Sequence, residues 1–289
     1  MAPGCACSAT RARGWAEHGA IVGVTEWPLW ASIALKMVFA ASMVVTATLV
    51  AEKSGPLVAG LIIAMPIAVG PTYVMLAWHA TPQFIAQSAL GSLASNACTG
   101  LFCTFYILLA RRVPLWISLP LATLSWLVGV WWSLDAALAP GTLLLLNAGV
   151  FALALLLTRG ALGGRKLLAG AKRWFDLPLR ALFVGLFAGT VVTVSTLIGS
   201  GWTGVLAAYP ILITSSIMMM QPRIGAQATA AAIATVLQGL IVYPLGFWIV
   251  HAFSVEWGVW MALLAALAVI VGWAALVYAW RSARPAMRG

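Results

Sequence analysis

Gly60-Leu-Ile-Ile-Ala-Met-Pro-Ile67 recurs, without a gap, as Gly204-Val-Leu-Ala-Ala-Tyr-Pro-Ile211. Two further pairs flank it in the same order. Phe39-Ala-Ala-Ser-Met-Val-Val-Thr46 precedes the first copy, as Phe187-Ala-Gly-Thr-Val-Val-Thr193 precedes the second. Pro82-Gln-Phe-Ile-Ala-Gln87 follows the first, as Pro222-Arg-Ile-Gly-Ala-Gln227 follows the second. The offsets are 148, 144 and 140 residues. Apolar helices resemble one another by chance, but chance seldom keeps order, spacing and two prolines together. The chain therefore reads as an internal duplication.

Composition says what is duplicated. The 289 residues are 63% hydrophobic and only 8% charged, with a mean hydropathy of +1.03. Soluble domains carry about 25% charged residues, so a soluble enzyme, a disordered chain and a nucleic-acid binder are all excluded. The net charge of +10 comes from 16 Lys and Arg against 6 Asp and Glu. In a polytopic protein such an excess belongs to cytoplasmic loops. The four cysteines do not make a disulfide framework at this length, and Cys98 and Cys103 sit in an apolar run as small hydrophobes.

A helix needs about 20 apolar residues to cross the hydrocarbon core. Nine stretches meet that length: 30–51, 57–78, 84–110, 114–132, 141–158, 180–199, 202–220, 224–251 and 257–280. With alternating ends, 13 of the 16 basic residues fall on one side and Arg11, Arg13 and Lys36 on the other. The basic side is expected to be cytoplasmic, with the amino terminus outside and the carboxyl terminus inside. Trp27, Trp30, Trp78, Trp131, Trp132, Trp202, Trp248, Trp257 and Trp260 then gather near the outer boundary, where an indole buries its ring and keeps its N–H wet. Residues 1–29 lack the charged, apolar and cleavable order of a signal peptide.

The expected organisation is all-α: an external tail (1–29), a four-helix repeat (30–135), a linking transmembrane helix (136–158), a basic cytoplasmic interfacial segment (159–180), a second four-helix repeat (181–281) and a basic tail (282–289). An odd number of helices between equivalent positions inverts the second repeat. Inverted repeats recur in secondary transporters, where two similar halves exchange conformations.

All six acids, Glu17, Glu26, Glu52, Asp135, Asp176 and Glu256, lie at the edges of these spans. The mid-membrane carboxylate usual in cation-coupled carriers is missing, which points to a neutral, amphipathic or lipid-like substrate. Uncharged polarity is present instead. Gln87, Gly91, Ser95 and Thr99 recur every fourth residue, with Ser88, Ser92 and Asn96 alongside; Gln227, Ala231, Thr235 and Gln238 follow a similar spacing in the second half. Positions four apart share one helix face. Such a stripe either lines a pathway or lets helices approach and hydrogen-bond. The candidate lining is Gln87, Ser92, Ser95, Asn96, Thr99, Gln227, Thr235 and Gln238. Pro66, Pro71 and Pro210 are the expected helix breaks: proline frees the carbonyl four residues earlier, either as an ordinary kink or as the broken helix of a binding site.

No nucleophile–base pair, metal-ligand spacing or phosphate loop occurs, so catalysis, a metal and a cofactor are not expected. The expected partners are the bilayer, anionic headgroups drawn to the basic cytoplasmic segment, and a second membrane protein or further copy of this chain. Ala51-Glu-Lys-Ser-Gly-Pro-Leu-Val-Ala-Gly-Leu61, followed by Pro66, resembles small bacterial inner-membrane proteins of the GlpM-like type over roughly one repeat. That resemblance implies a bacterial inner membrane and a duplicated ancestor, without a settled activity; the second repeat lacks the Glu-Lys pair. The functional expectation is a transporter working by alternating access, against a non-transporting subunit of a larger membrane complex or a passive pore.

Overall fold

The computed structural model describes residues 69–161 and 176–283, together with Met37, Val38, Ser42 and Thr46. The helix expected at 30–51, most of that at 57–78 with Pro66, the centre of the basic segment and both tails lie outside the described residues. Those described are helical without strands. The helices are α1 (Val69–Ala77), α2 (Pro82–Leu109), α3 (Leu115–Asp135), α4 (Pro140–Thr158), α5 (Asp176–Ala207), α6 (Ile211–Gly239), α7 (Tyr243–Phe253) and α8 (Val259–Ala283). Single 3-10 turns follow α4 and α6. Among the described residues, five helical stretches are long and apolar enough to cross a membrane.

Local chemistry sets the helix starts. Thr81, extended at the N-cap of α2, accepts the Phe84 N–H at 3.3 Å, and Pro82 follows in the first turn. That is where a missing N–H costs nothing. Pro140 begins α4 in the same way after the extended Ala139. From 82 to 158 the helices fall within a few residues of the expected spans.

In the second half the breaks at Gly199 and Gly225 fall where the expected spans 180–199, 202–220 and 224–251 meet, whereas the break at Ala208–Pro210 falls inside one of them. Ile211–Phe253 is 43 residues of apolar helix, roughly 65 Å if straight, twice the hydrocarbon thickness. Gly225, at φ 81° and ψ 165°, interrupts it. Gly199, at φ 75° and ψ 171°, interrupts α5. Only glycine adopts that conformation without strain. At Gly199 the chain folds back: Thr203 Oγ1 lies 3.5 Å from the Ser195 carbonyl, whereas eight residues along a straight helix span about 12 Å. Both breaks share one device. Thr203 donates to the Gly199 carbonyl at 2.7 Å, and Thr229 to the Gly225 carbonyl at 2.9 Å, so each hydroxyl satisfies an acceptor in the turn following the break.

The Gly225 break also corrects the third sequence match. Pro82 opens α2, whereas Pro222 lies inside the arm of α6 before Gly225. The two prolines are not structurally equivalent.

At the centre of the bundle lies α2, which packs against α1, α3, α4, α5, α6 and α7. In its apolar window 78% of residues are buried, against 28% in α3, α4 and α8. The small and polar residues of α2 pack and hydrogen-bond against neighbouring helices, as suits an interior helix, while the large exposed residues of the outer helices, such as Leu124, Val128, Leu145, Leu156 and Leu264, suit lipid. The two ends differ. Exposed Trp78, Trp131, Trp132, Trp202, Trp257 and Trp260 sit at the end holding the α1–α2, α3–α4 and α7–α8 connections, with Trp78 and Trp260 rings 6.0 Å apart. Exposed Arg111, Arg112, Arg159 and Arg223 sit at the opposite end, together with exposed Trp116.

Close approach of α2 and α5 rests on glycine. A Cβ on Gly91 would strike the Gly201 carbonyl, and one on Gly204 would strike the Ser88 carbonyl, both backbone atoms that cannot swing away. Gly149 on α4 faces open space. Gly149→Ala is therefore expected to hold or raise stability by up to about 1 kcal/mol, the ordinary helix-propensity gain. Gly204→Ala should reverse that sign and destabilise by about 1–3 kcal/mol through overpacking. Thermal unfolding of the two variants in one detergent checks the difference.

Candidate functional site

The polar stripe of α2 meets the short arm of α5 that follows Gly199. Ser92 is fully buried; its Oγ donates to the Gly204 carbonyl at 2.7 Å. A serine hydroxyl carries one proton. The Tyr73 hydroxyl, 2.7 Å from the same Oγ, must then be the donor to it. A chain Tyr73→Ser92→Gly204 thus ties α1, α2 and α5 together.

One turn on, Asn96 Nδ2 donates to Asn147 Oδ1 at 2.9 Å. Asn147 Nδ2 donates both protons, to the Leu93 carbonyl at 2.9 Å and to the Leu143 carbonyl at 2.8 Å. This locks α4 onto α2. Near the other end, Tyr106 donates to Gln221 Oε1 at 2.7 Å, joining α2 to α6. His251 donates from Nδ1 to the Ala86 carbonyl at 2.9 Å and so holds α7 to α2.

The expected lining residues are distributed unevenly. Ser92, Ser95, Asn96 and Thr99 are buried on α2, Thr99 donating to the Ser95 carbonyl of its own helix. Gln87 is half-buried. Thr235 is half-buried and donates to Ala231 one turn back, and Gln238 is half-buried on the same helix. Gln227 is exposed, two residues past the Gly225 break. Four of the eight therefore share one buried helix face, while Gln227 stands at the periphery. Pro71 is buried within α1.

Pro210 occupies a further break. Between α5 and α6 the chain leaves the helix at Ala208–Pro210, with Pro210 at φ −76° and ψ 53°. The Ile211 N–H turns back to the Tyr209 carbonyl at 2.7 Å, and the Thr214 N–H takes the Pro210 carbonyl at 2.9 Å. Unlike Gly199, this break lies inside the bundle: Ala208 and Pro210 are buried. The Tyr209 ring stands edge-on to Trp126 of α3 at 4.9 Å and 5.5 Å from Phe187 of α5.

Several buried polar atoms among the described residues have no hydrogen-bond partner. They include Ser88 Oγ and Ser95 Oγ on α2, Trp126 Nε1 on α3 and Thr214 Oγ1 on α6; Trp273 Nε1 on α8 is another. Buried polar groups are nearly always paired, so each keeps an uncompensated desolvation cost. Beside the stripe, a cavity of about 20 Å³ is lined by Gly91, Ala94, Ser133, Leu143 and Gly201 among others, room for about one water. Among the described residues no cluster of three or more His, Cys, Asp or Glu could hold a metal.

No protein family, curated protein or solved structure matches the chain. Geometry alone therefore identifies the site. Sequence patterning singles out the α2 stripe and Pro210, because polar and proline residues stand out in apolar helices. It passes over Tyr73, Trp126 and Tyr209, which look like ordinary core aromatics. Their signal is weak: each has a polar handle that burial obliges to find a partner.

The chain Tyr73→Ser92→Gly204 predicts an order of effects. Tyr73→Phe removes one donor and leaves Ser92 bound to Gly204, costing about 1 kcal/mol; Ser92→Ala strands both the tyrosine hydroxyl and the carbonyl, costing about 2 kcal/mol. Asn147→Leu should cost about 1–2 kcal/mol, the upper range for hydrogen bonds between membrane helices. Unfolding midpoints in matched detergent read all three, and equal losses for Tyr73→Phe and Ser92→Ala would contradict the chain.

Proposed function

We propose that this chain is a multi-pass carrier of the bacterial inner membrane, moving a small neutral, amphipathic or lipid-like molecule by alternating access of two inverted halves. The observation that carries this reading is the non-helical turn at Ala208–Pro210, buried within the bundle and flanked by helical arms. Irregular backbone at membrane depth is tolerated only where protein or an internal cavity surrounds it, and carriers place substrate sites at such broken helices. The unpaired hydroxyls of Ser88 and Ser95 on the facing helix supply further polarity without charge.

The gathering of exposed arginines at one end supports an orientation with that end in the cytoplasm. Arginines there, with the basic residues of 162–175, would meet anionic headgroups. The duplication read from the sequence supports alternating access, because two similar halves can exchange conformations.

A non-transporting scaffold is the second reading. It is favoured by the closure of the α2 stripe: Ser92, Asn96 and Asn147 spend their hydrogen bonds on helix contacts, as packing alone would require.

Thiol labelling separates the two. In full-length protein with its four cysteines replaced, Ser95→Cys and Thr235→Cys, with Leu145→Cys as a lipid-facing reference, are exposed to a membrane-impermeant reagent. Intact cells and inverted vesicles are labelled in parallel. A carrier is expected to label at Ser95→Cys or Thr235→Cys from both faces, above the Leu145→Cys background. Silence at both positions from both faces, in folded protein, would establish the scaffold instead.

A further inference from the structure

We infer that the turn at Ala208–Pro210 is a ligand-binding site for an uncharged molecule that carries a hydrogen-bond-accepting oxygen on an apolar body. The inference rests on the carrier reading and names the substrate chemistry of its central break. Two residues that carry an unpaired buried polar atom contact this turn, Trp126 through its ring and Thr214 through its backbone. Trp126, 2% exposed, contacts Tyr209 edge-on at 4.9 Å and leaves its Nε1 hydrogen without an acceptor. Thr214 binds the Pro210 carbonyl through its backbone N–H at 2.9 Å while its Oγ1 finds no partner.

The chemistry of these groups selects the ligand. An indole N–H only donates, so the complement must be an acceptor. Neither residues 113–134 nor residues 181–222 contain Asp, Glu, Lys or Arg. An ion placed there would have no countercharge in low dielectric. The rings of Trp126, Tyr209 and Phe187 offer apolar faces, which suit a hydrocarbon or aromatic body. Tyr209 sits on the three-residue turn itself, its carbonyl held by the Ile211 N–H at 2.7 Å. A short non-helical hinge can swing that ring without unwinding α5 or α6, and so admit the ligand between Tyr209 and Trp126.

The test uses full-length protein in detergent and two probes of equal chain length, 2-octanone and octane. Binding to the folded state raises the unfolding midpoint in proportion to occupancy. In the wild type, 2-octanone is expected to raise it by a few degrees more than octane, which supplies no acceptor. Trp126→Phe keeps an aromatic ring but removes the donor, and should abolish that difference; Thr214→Val, nearly isosteric, should reduce it and covers the case in which Trp126→Phe does not fold. Equal shifts for the two probes, or a ketone preference unchanged in both variants, would overturn the site and reduce the effect to partition into detergent or apolar protein surface. Two-sided labelling of Ser95→Cys or Thr235→Cys alongside such a failure would leave the carrier reading standing and remove only this site.

Discussion

Backbone meets backbone where α2 crosses the short arm of α5, and the other contacts of the bundle are arranged around that crossing. Gly91 and Gly204 bring the helices close enough for the Ser92 hydroxyl to reach a main-chain carbonyl on its neighbour. In lipid there is no hydrophobic force to press two apolar helices together, so close packing and interhelical hydrogen bonds must do it. The crossing supplies both. Asn147 adds a second fastening one turn away and brings in α4. His251 brings in α7 from the other side. An α2 surrounded in this way explains why the helices outside it are free to present leucine and valine to the bilayer.

The same crossing explains why the second half of the chain is interrupted. Gly199 and Gly225 break the helices where the expected spans meet, and Pro210 divides the span expected at 202–220. At the two glycines the cost of leaving the helix is limited by a threonine four residues later, whose hydroxyl takes the glycine carbonyl. Thr214 stands four residues after Pro210, but the Pro210 carbonyl takes its backbone N–H rather than its hydroxyl, and aromatic rings pack on the turn instead. The contrast separates a reversal from an interior break: the first closes its own hydrogen bonds, while the second leaves groups around it uncommitted.

Much of the fold between 82 and 158 is legible in the sequence, because Pro82, Pro114 and Pro140 mark helix starts and the apolar runs between them have the length of a bilayer. The α2 stripe is legible too, since Gln, Ser, Asn and Thr recurring on one face stand out in an otherwise apolar helix. What they do there is less so: Asn96 alone does not reveal Asn147 as its partner, 51 positions away. The equivalence of Pro82 and Pro222 misleads, because one proline starts a helix and the other lies in the arm before the Gly225 break. Gln227 keeps its four-residue spacing to Ala231 and Thr235 but stands two residues past the Gly225 break, where the helix end leaves it exposed. Tyr73 and Trp126 stay hidden because an aromatic in a core has the same pattern whether or not its polar tip is satisfied.

The arm between Gly199 and the Ala208–Pro210 break also constrains biogenesis. Eight residues of helix rise only about 12 Å, far short of the roughly 30 Å hydrocarbon layer, and the turn that follows bares peptide groups that acyl chains cannot bond. As it leaves the translocation machinery, this segment is a poor independent passenger. It becomes acceptable in the bilayer once α2, made about a hundred residues earlier, offers Ser92 and a glycine-lined groove to receive it. Order of synthesis therefore matters: the amino-terminal half serves as the template on which the discontinuous half completes its insertion.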